Sequence, residues 1–163
     1  MVVGWIIGAI LFIIVIMFIY YYNRLVSLSN QIDNSLSLID VQLKKRSDLV
    51  PNLLESVKGY MKHERGVITE VTNARKALLG AKSMESKVKA GGQLESALKS
   101  IFALAENYPQ LRANENFLQL QNELTAIEDK IAYARQFYND GILSYNNACT
   151  TFPRTFFARI YNR

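Results

Sequence analysis

The chain has 163 residues, 50% of them hydrophobic and 20% charged, and carries a formal net charge of +5. That length allows one modest domain, and about 140 residues remain to bury a core once a membrane segment is set aside. The positive charge does not imply a nucleic-acid partner: Lys44, Arg75, Lys82, Lys99, Arg112 and Arg135 are spread along helical stretches with Asp and Glu between them, the pattern of a solvated helix surface. The single cysteine, Cys149, excludes an internal disulfide and any Cys-rich zinc site, and the single histidine, His63, is far from it in sequence. Three prolines and eight glycines favour long helices over an all-β design.

The first predicted element is a membrane helix. From Val2 to Tyr22 no residue is charged, and a helix needs about 20 such residues to cross ~30 Å of hydrocarbon at 1.5 Å each. Trp5 at one end and Tyr20, Tyr21 and Tyr22 at the other form the aromatic belt expected at the two interfaces. No basic residue precedes the run and no small-x-small site follows it, so an uncleaved anchor is expected rather than a secretory signal. Arg24 follows the run at once, with Lys44, Lys45 and Arg46 further on. The positive-inside bias therefore predicts a short N-terminus outside and the domain in the cytoplasm.

Beyond the anchor the apolar residues keep a helical period. Leu25, Leu28, Ile32, Leu36, Ile39 and Leu43 step by three or four, and the phase continues through Val50, Leu53, Val57 and Tyr60. Pro51 lies inside that phase, so a kink in one long helix is expected rather than a stop. A second helix is predicted from about His63 to Leu79 with Val67, Val71, Ala74 and Leu78 inward, and the small, polar stretch Gly80 to Gly92 is read as containing a turn. The third helix carries Leu94, Leu98, Ile101, Leu104 and Ala105 and ends at Tyr108-Pro109. Asn114 is placed as the N-cap of the fourth. That helix alternates threes and fours through Phe117, Leu120, Leu124, Ile127, Ile131, Ala134, Tyr138, Gly141 and Tyr145, the spacing of a coiled-coil seam.

The expected fold class is all-α: one N-terminal transmembrane helix continuing into an antiparallel up-and-down four-helix bundle with long first and fourth helices. The domains are an anchor over 1–22, a helical bundle over 23–152 and a basic, aromatic tail over 153–163. Asn23 to Met61 would span about 58 Å and Asn114 to Thr150 about 55 Å, whereas the middle helices reach only ~25–35 Å. The membrane-proximal half would then be a two-helix stalk, whose association seam of Leu25, Leu28, Ile32, Leu36, Ile39, Tyr138 and Tyr145 is too wide for one pair to bury. The returning chain would bring Arg154, Phe156, Phe157, Arg159 and Arg163 back to the headgroup boundary beside Trp5, Tyr20, Tyr21, Tyr22 and Arg24, since rings bury there and guanidinium groups meet lipid phosphates.

No constellation reads as an active site. A di-metal bundle needs Glu-x-x-His pairs, and Tyr60 stands three residues before His63. There is no zinc spacing, no phosphate-binding glycine loop and no nucleophile with a nearby base. No enzyme, metal or cofactor is expected. Glu128 and Arg135, seven apart on one stripe, could pair structurally with Arg46, Arg75 or Glu106.

The run Lys44-Lys45-Arg46-Ser47-Asp48-Leu49-Val50-Pro51-Asn52-Leu53-Leu54, continuing through Val57-Lys58-Gly59-Tyr60 to His63-Glu64, resembles the LemA family. The same resemblance extends to Ala74-Arg75, Glu106-Asn107-Tyr108-Pro109-Gln110-Leu111-Arg112-Ala113-Asn114, Glu128, Ala134-Arg135, Tyr138-Asn139, Tyr145-Asn146 and Phe152-Pro153. It implies a bacterial envelope protein with one transmembrane helix, a helical bundle in the cytoplasm and no defined enzymatic activity. It marks Arg46, Asp48, Pro51, Arg75, Glu106, Tyr108, Pro109, Arg112, Asn114, Glu128 and Arg135 as shared structural positions. The expected function is a non-enzymatic scaffold or adaptor in the bacterial inner membrane, with the bilayer, a second copy and other membrane proteins as partners. The alternative is a ligand-binding or signalling module acting through the Tyr108–Asn114 tip.

Overall fold

A computed structural model describes residues 1–61 and 63–151. Among these residues all regular structure is helical: α1 (Val2–Lys58), α2 (Arg65–Gly80), α3 (Met84–Ala105), α4 (Pro109–Arg112) and α5 (Glu115–Thr150). The chain divides into two compact units, one of Met1–Ser35 with Arg135–Arg163 and one of Leu36–Ala134.

The second unit owns the main core. Ile39, Leu43, Val50, Leu53 and Val57 from α1 are buried with Val71 and Leu78 from α2, Leu94, Leu98 and Ile101 from α3, Leu111 from α4 and Phe117, Leu124, Ile127 and Ile131 from α5. Each fully buried Leu, Ile or Phe contributes about 1.5–3 kcal/mol by leaving water, before the entropy of ordering is subtracted. The three-four series read from the sequence is the buried face: all of its α5 positions from Phe117 to Tyr145 are buried or half-buried. Tyr60 is the exception on α1. The helix ends at Lys58, the helical phase is lost, and Met61 takes the inward place while Tyr60 remains 37% exposed. Pro51 is exposed and α1 passes through it without ending.

The turn between α2 and α3 occupies 81–83, inside the small, polar stretch read as containing it. Ser83 caps α3 in a reciprocal box: its hydroxyl accepts from the Ser86 amide at 3.2 Å, and the Ser86 hydroxyl accepts from the Ser83 amide at 3.1 Å. Gly91 and Gly92 therefore lie inside a helix, and Gly91 has a packing reason. A Cβ there would stand 2.5 Å from Leu43 Cδ2, so glycine is what lets α3 approach the buried Leu43. The stop at Tyr108-Pro109 divides two helices, with Pro109 opening the single turn of α4, where its missing N–H costs nothing. Asn114 then caps α5, its Oδ1 accepting from the Phe117 amide at 3.1 Å.

Among the described residues the first unit is built from the start of α1 and the end of α5. Its described core is Leu25, Leu28 and Ala148, with Tyr145 and Cys149 packed against them. Of the seam positions read from the sequence, Leu25, Leu28 and Ile39 are buried and Ile32, Leu36, Tyr138 and Tyr145 half-buried. Small residues on α5 face large ones on α1, and a Cβ on Gly141 would lie 3.1 Å from Ile32 Cγ1. Leu25 and Leu28 are consequently buried within the pair, and Ser35, not Leu36, is the deeply buried position one turn on, its hydroxyl donating to the Gln31 carbonyl at 2.8 Å.

Candidate functional site

The most apolar eighteen residues of α1 have a mean hydropathy of 3.1, so this helix is long and apolar enough to cross a membrane, and none of them is buried by the other described residues. Of the interface residues read from the sequence, Trp5 is 82% exposed and Tyr20 62%, with Tyr22 and Arg24 also exposed. Tyr21 is half-buried and meets Tyr20 edge-on, ring centroids 5.4 Å apart. Arg154, Phe156, Phe157, Arg159 and Arg163 lie outside the described residues.

The charged positions come together in the second unit around Arg46. This side chain, 2% exposed, donates to the Gly91 carbonyl at 3.2 Å and pairs with Glu128. The pairing of Glu128 with Arg46 is one of those the sequence offered. Next to it on α1, Ser47 is also buried, and its carbonyl accepts from Arg75 Nε at 2.8 Å. Arg46 and Arg75 thus pin α1 to α5, α3 and α2 by charged hydrogen bonds, each about twice as strong as a neutral one. Asp40 binds Lys87 of α3 at 2.6 Å, a contact no sequence motif announced. Asp48 pairs with Lys44 one turn away on the exposed face, an arrangement worth a few tenths of a kcal/mol. Arg135, in the first unit, is half-buried, and its Nε has no hydrogen-bond partner among the described residues.

The remaining motif residues gather at the end of the second unit where α1 meets α2 and α3 meets α4. Glu106 and Arg112 are exposed there. The Tyr108 hydroxyl donates to Glu64 Oε1 at 3.4 Å. Desolvation of the phenol raises the Tyr108 pKa, and the negative charge of Glu64 and the hydrogen bond to it act in the same direction, so the phenol stays neutral and a donor. Among the described residues no three His, Cys, Asp or Glu side chains gather where a metal ion could sit. What the Arg46 cluster can do chemically is hold four helices in register, because its guanidinium is enclosed and committed to protein acceptors.

Comparison with known proteins gives a consistent set of likenesses. The LemA family model matches residues 35–163. The chain is 29% identical over 150 residues to Protein LemA of Metamycoplasma hominis, covering 88% of this chain and 68% of that protein. It is 22% identical over 165 aligned positions to Magnetosome protein MamQ of Magnetospirillum gryphiswaldense and equally to Magnetosome protein MamQ 2 of Paramagnetospirillum magneticum. In both cases 85% of this chain is covered, and the chain spans 61% of the length of these magnetosome relatives.

Proposed function

The chain belongs to the LemA family, and from that premise we propose that it is a single-pass, membrane-anchored scaffold or adaptor of the bacterial envelope that acts without catalysis. The observation that carries this reading is the unburied apolar run of α1, which belongs to the same uninterrupted helix as the core positions Ile39, Leu43 and Val50. Exposed apolar surface costs about 25 cal/mol per Å², and a bilayer removes that cost along the whole run. The likeness to proteins named for the magnetosome supports an organising role over an enzymatic one. In this reading α1 and α5 are the long members of an up-and-down bundle, the domain is cytoplasmic beneath the inner membrane, and Arg24 sets the sidedness.

Outward apolar side chains supply the reason for association. Leu38 and Val41 are 46% and 49% exposed and Tyr133 64% in the second unit, and Phe137 is 57% exposed in the first. Leu38 and Val41, three residues apart on one helix, form an exposed apolar pair of the kind that marks contact surfaces. Two measurements test the reading. Mass determination of the full chain in lipid nanodiscs, with crosslinking from a cysteine at Leu38 or Tyr133 in cells, is expected to show a second copy or a membrane-protein partner. A lone monomer that crosslinks to nothing contradicts the scaffold. A membrane-impermeant maleimide should leave a cysteine introduced at the exposed Glu115 unlabelled in intact cells, and labelling there would reverse the assigned sidedness.

A further inference from the structure

The second unit carries a groove that none of the contacts above uses. It lies where the last turns of α1 meet the first turns of α2, has a volume of about 980 Å³, and is lined by Leu54, Lys58, Met61, Arg65, Ile68 and Glu55, among others. Its floor is apolar: Leu54 and Ile68 are half-buried and Met61 fully so. Its rim is predominantly basic. Lys58 and Arg65 are both exposed, and neither has an ion-pair partner among the described residues, in contrast to Lys44, Lys87 and Lys99, which are each paired with an acid.

The start of α2 forms one side of this groove. Glu64 stands at its N-cap but makes no side-chain capping bond, because its carboxylate is turned to the Tyr108 hydroxyl. No acidic residue occupies the first turn of α2, whereas α3 and α5 carry Glu85 and Glu115 there. The acid at this end of α2 is thus Glu64, held by Tyr108, and the exposed Arg65 follows it directly in the chain. Glu55 is the one acid in the lining, against the two cations Lys58 and Arg65.

We propose that this groove docks an acidic amphipathic helix of a partner protein, with apolar side chains at i, i+3 and i+4 on the Leu54–Met61–Ile68 floor and carboxylates meeting Lys58 and Arg65. Charge complementarity selects the partner: a basic helix is repelled at both rim positions, and an apolar one leaves Lys58 and Arg65 without counter-charges. The open, two-walled shape suits the side of a helix better than an enclosed small molecule. This docking site deepens the adaptor reading and rests on it. Its failure leaves that reading testable at Leu38 and Tyr133, which lie outside the groove.

The test uses the full chain in nanodiscs. The probes are a leucine–glutamate helical peptide of about four turns, its leucine–lysine counterpart, and dihexanoyl phosphatidylglycerol kept below its micelle concentration. The acidic peptide is expected to bind, to weaken with added salt, and to lose about tenfold in affinity on K58E/R65E, with amide shifts confined to the end of α1 and start of α2. Far-ultraviolet circular dichroism of the double variant confirms that these exposed changes leave the fold in place. Equal binding to the variant, equal binding of the lysine peptide, or no binding of the acidic peptide overturns the proposal. So does preferential binding of the phosphatidylglycerol, which would make the groove a lipid headgroup site.

Discussion

The two units of this chain stabilise themselves in opposite ways. The second draws buried side chains from every helix and encloses an ionised Arg46 among them. The first has a described core of Leu25, Leu28 and Ala148, closed by the small residues of α5 and continued by an apolar run that nothing among the described residues covers. The difference teaches where each unit's stability comes from. A many-sided core is self-sufficient, while in the proposed reading a two-helix seam next to a bare apolar helix takes the rest of its burial from the bilayer.

The strongest way to break the second unit is to strand its buried charge. Glu128→Ala removes the counter-ion of a guanidinium that is 2% exposed, and should cost about 3–5 kcal/mol in chemical denaturation. The double variant Arg46→Met with Glu128→Leu should recover most of that loss, since an apolar pair of similar volume avoids the desolvation penalty. Truncation sharpens the contrast between units. Leu53→Ala, at a fully buried site, should cost about 2–5 kcal/mol and loosen the whole second unit. Leu28→Ala should raise amide exchange between Leu25 and Ser35 and near Ala148 in lipid, and leave protection of Ile101 and Ile131 unchanged. Gly91→Val is expected to cost about 1–3 kcal/mol by overpacking against Leu43, and Asn114→Ala about 1 kcal/mol through the lost cap of α5.

The smallest effect is a titration. The Tyr108 pKa is raised in the folded chain, so the associated stability is fully present below the ordinary phenol value near 10 and is lost as pH rises through the folded value. Ultraviolet titration should show Tyr108 ionising later than an exposed tyrosine, and Glu64→Gln should bring it part of the way back. An unshifted phenol in the parent chain would remove the Glu64–Tyr108 link from the account of the tip.

Much of this was legible in the residues. The apolar run, the inward stripes of α1, α2 and α5, the Asn114 cap and the possible Arg46–Glu128 pair all follow from period and residue chemistry. Three features were not. The helical place of Gly91 and Gly92 is one, because glycines signal flexibility by composition while the use of Gly91 depends on Leu43, far away in sequence. The close approach of α1 and α5 is hidden for a related reason: Gly141 and Ala148 look like weak seam residues until Ile32, Leu25 and Leu28 are set opposite them. The turning of Glu64 from its own helix towards Tyr108 is a long-range choice that no local rule contains.

The central claim, that α1 crosses a bilayer and leaves it near Tyr22, is tested most directly by single-cysteine accessibility along the helix. In a Cys149→Ser background, the full chain in nanodiscs would carry one cysteine at a time from Val3 to Asn30 and be exposed to a water-soluble maleimide. The account predicts no labelling across the interior of the run, at Ile10 or Ile14, and rapid labelling at exposed positions beyond the tyrosines, such as Ser27 and Asn30. Labelling of Ile10 and Ile14 at the rate of Asn30 would contradict it.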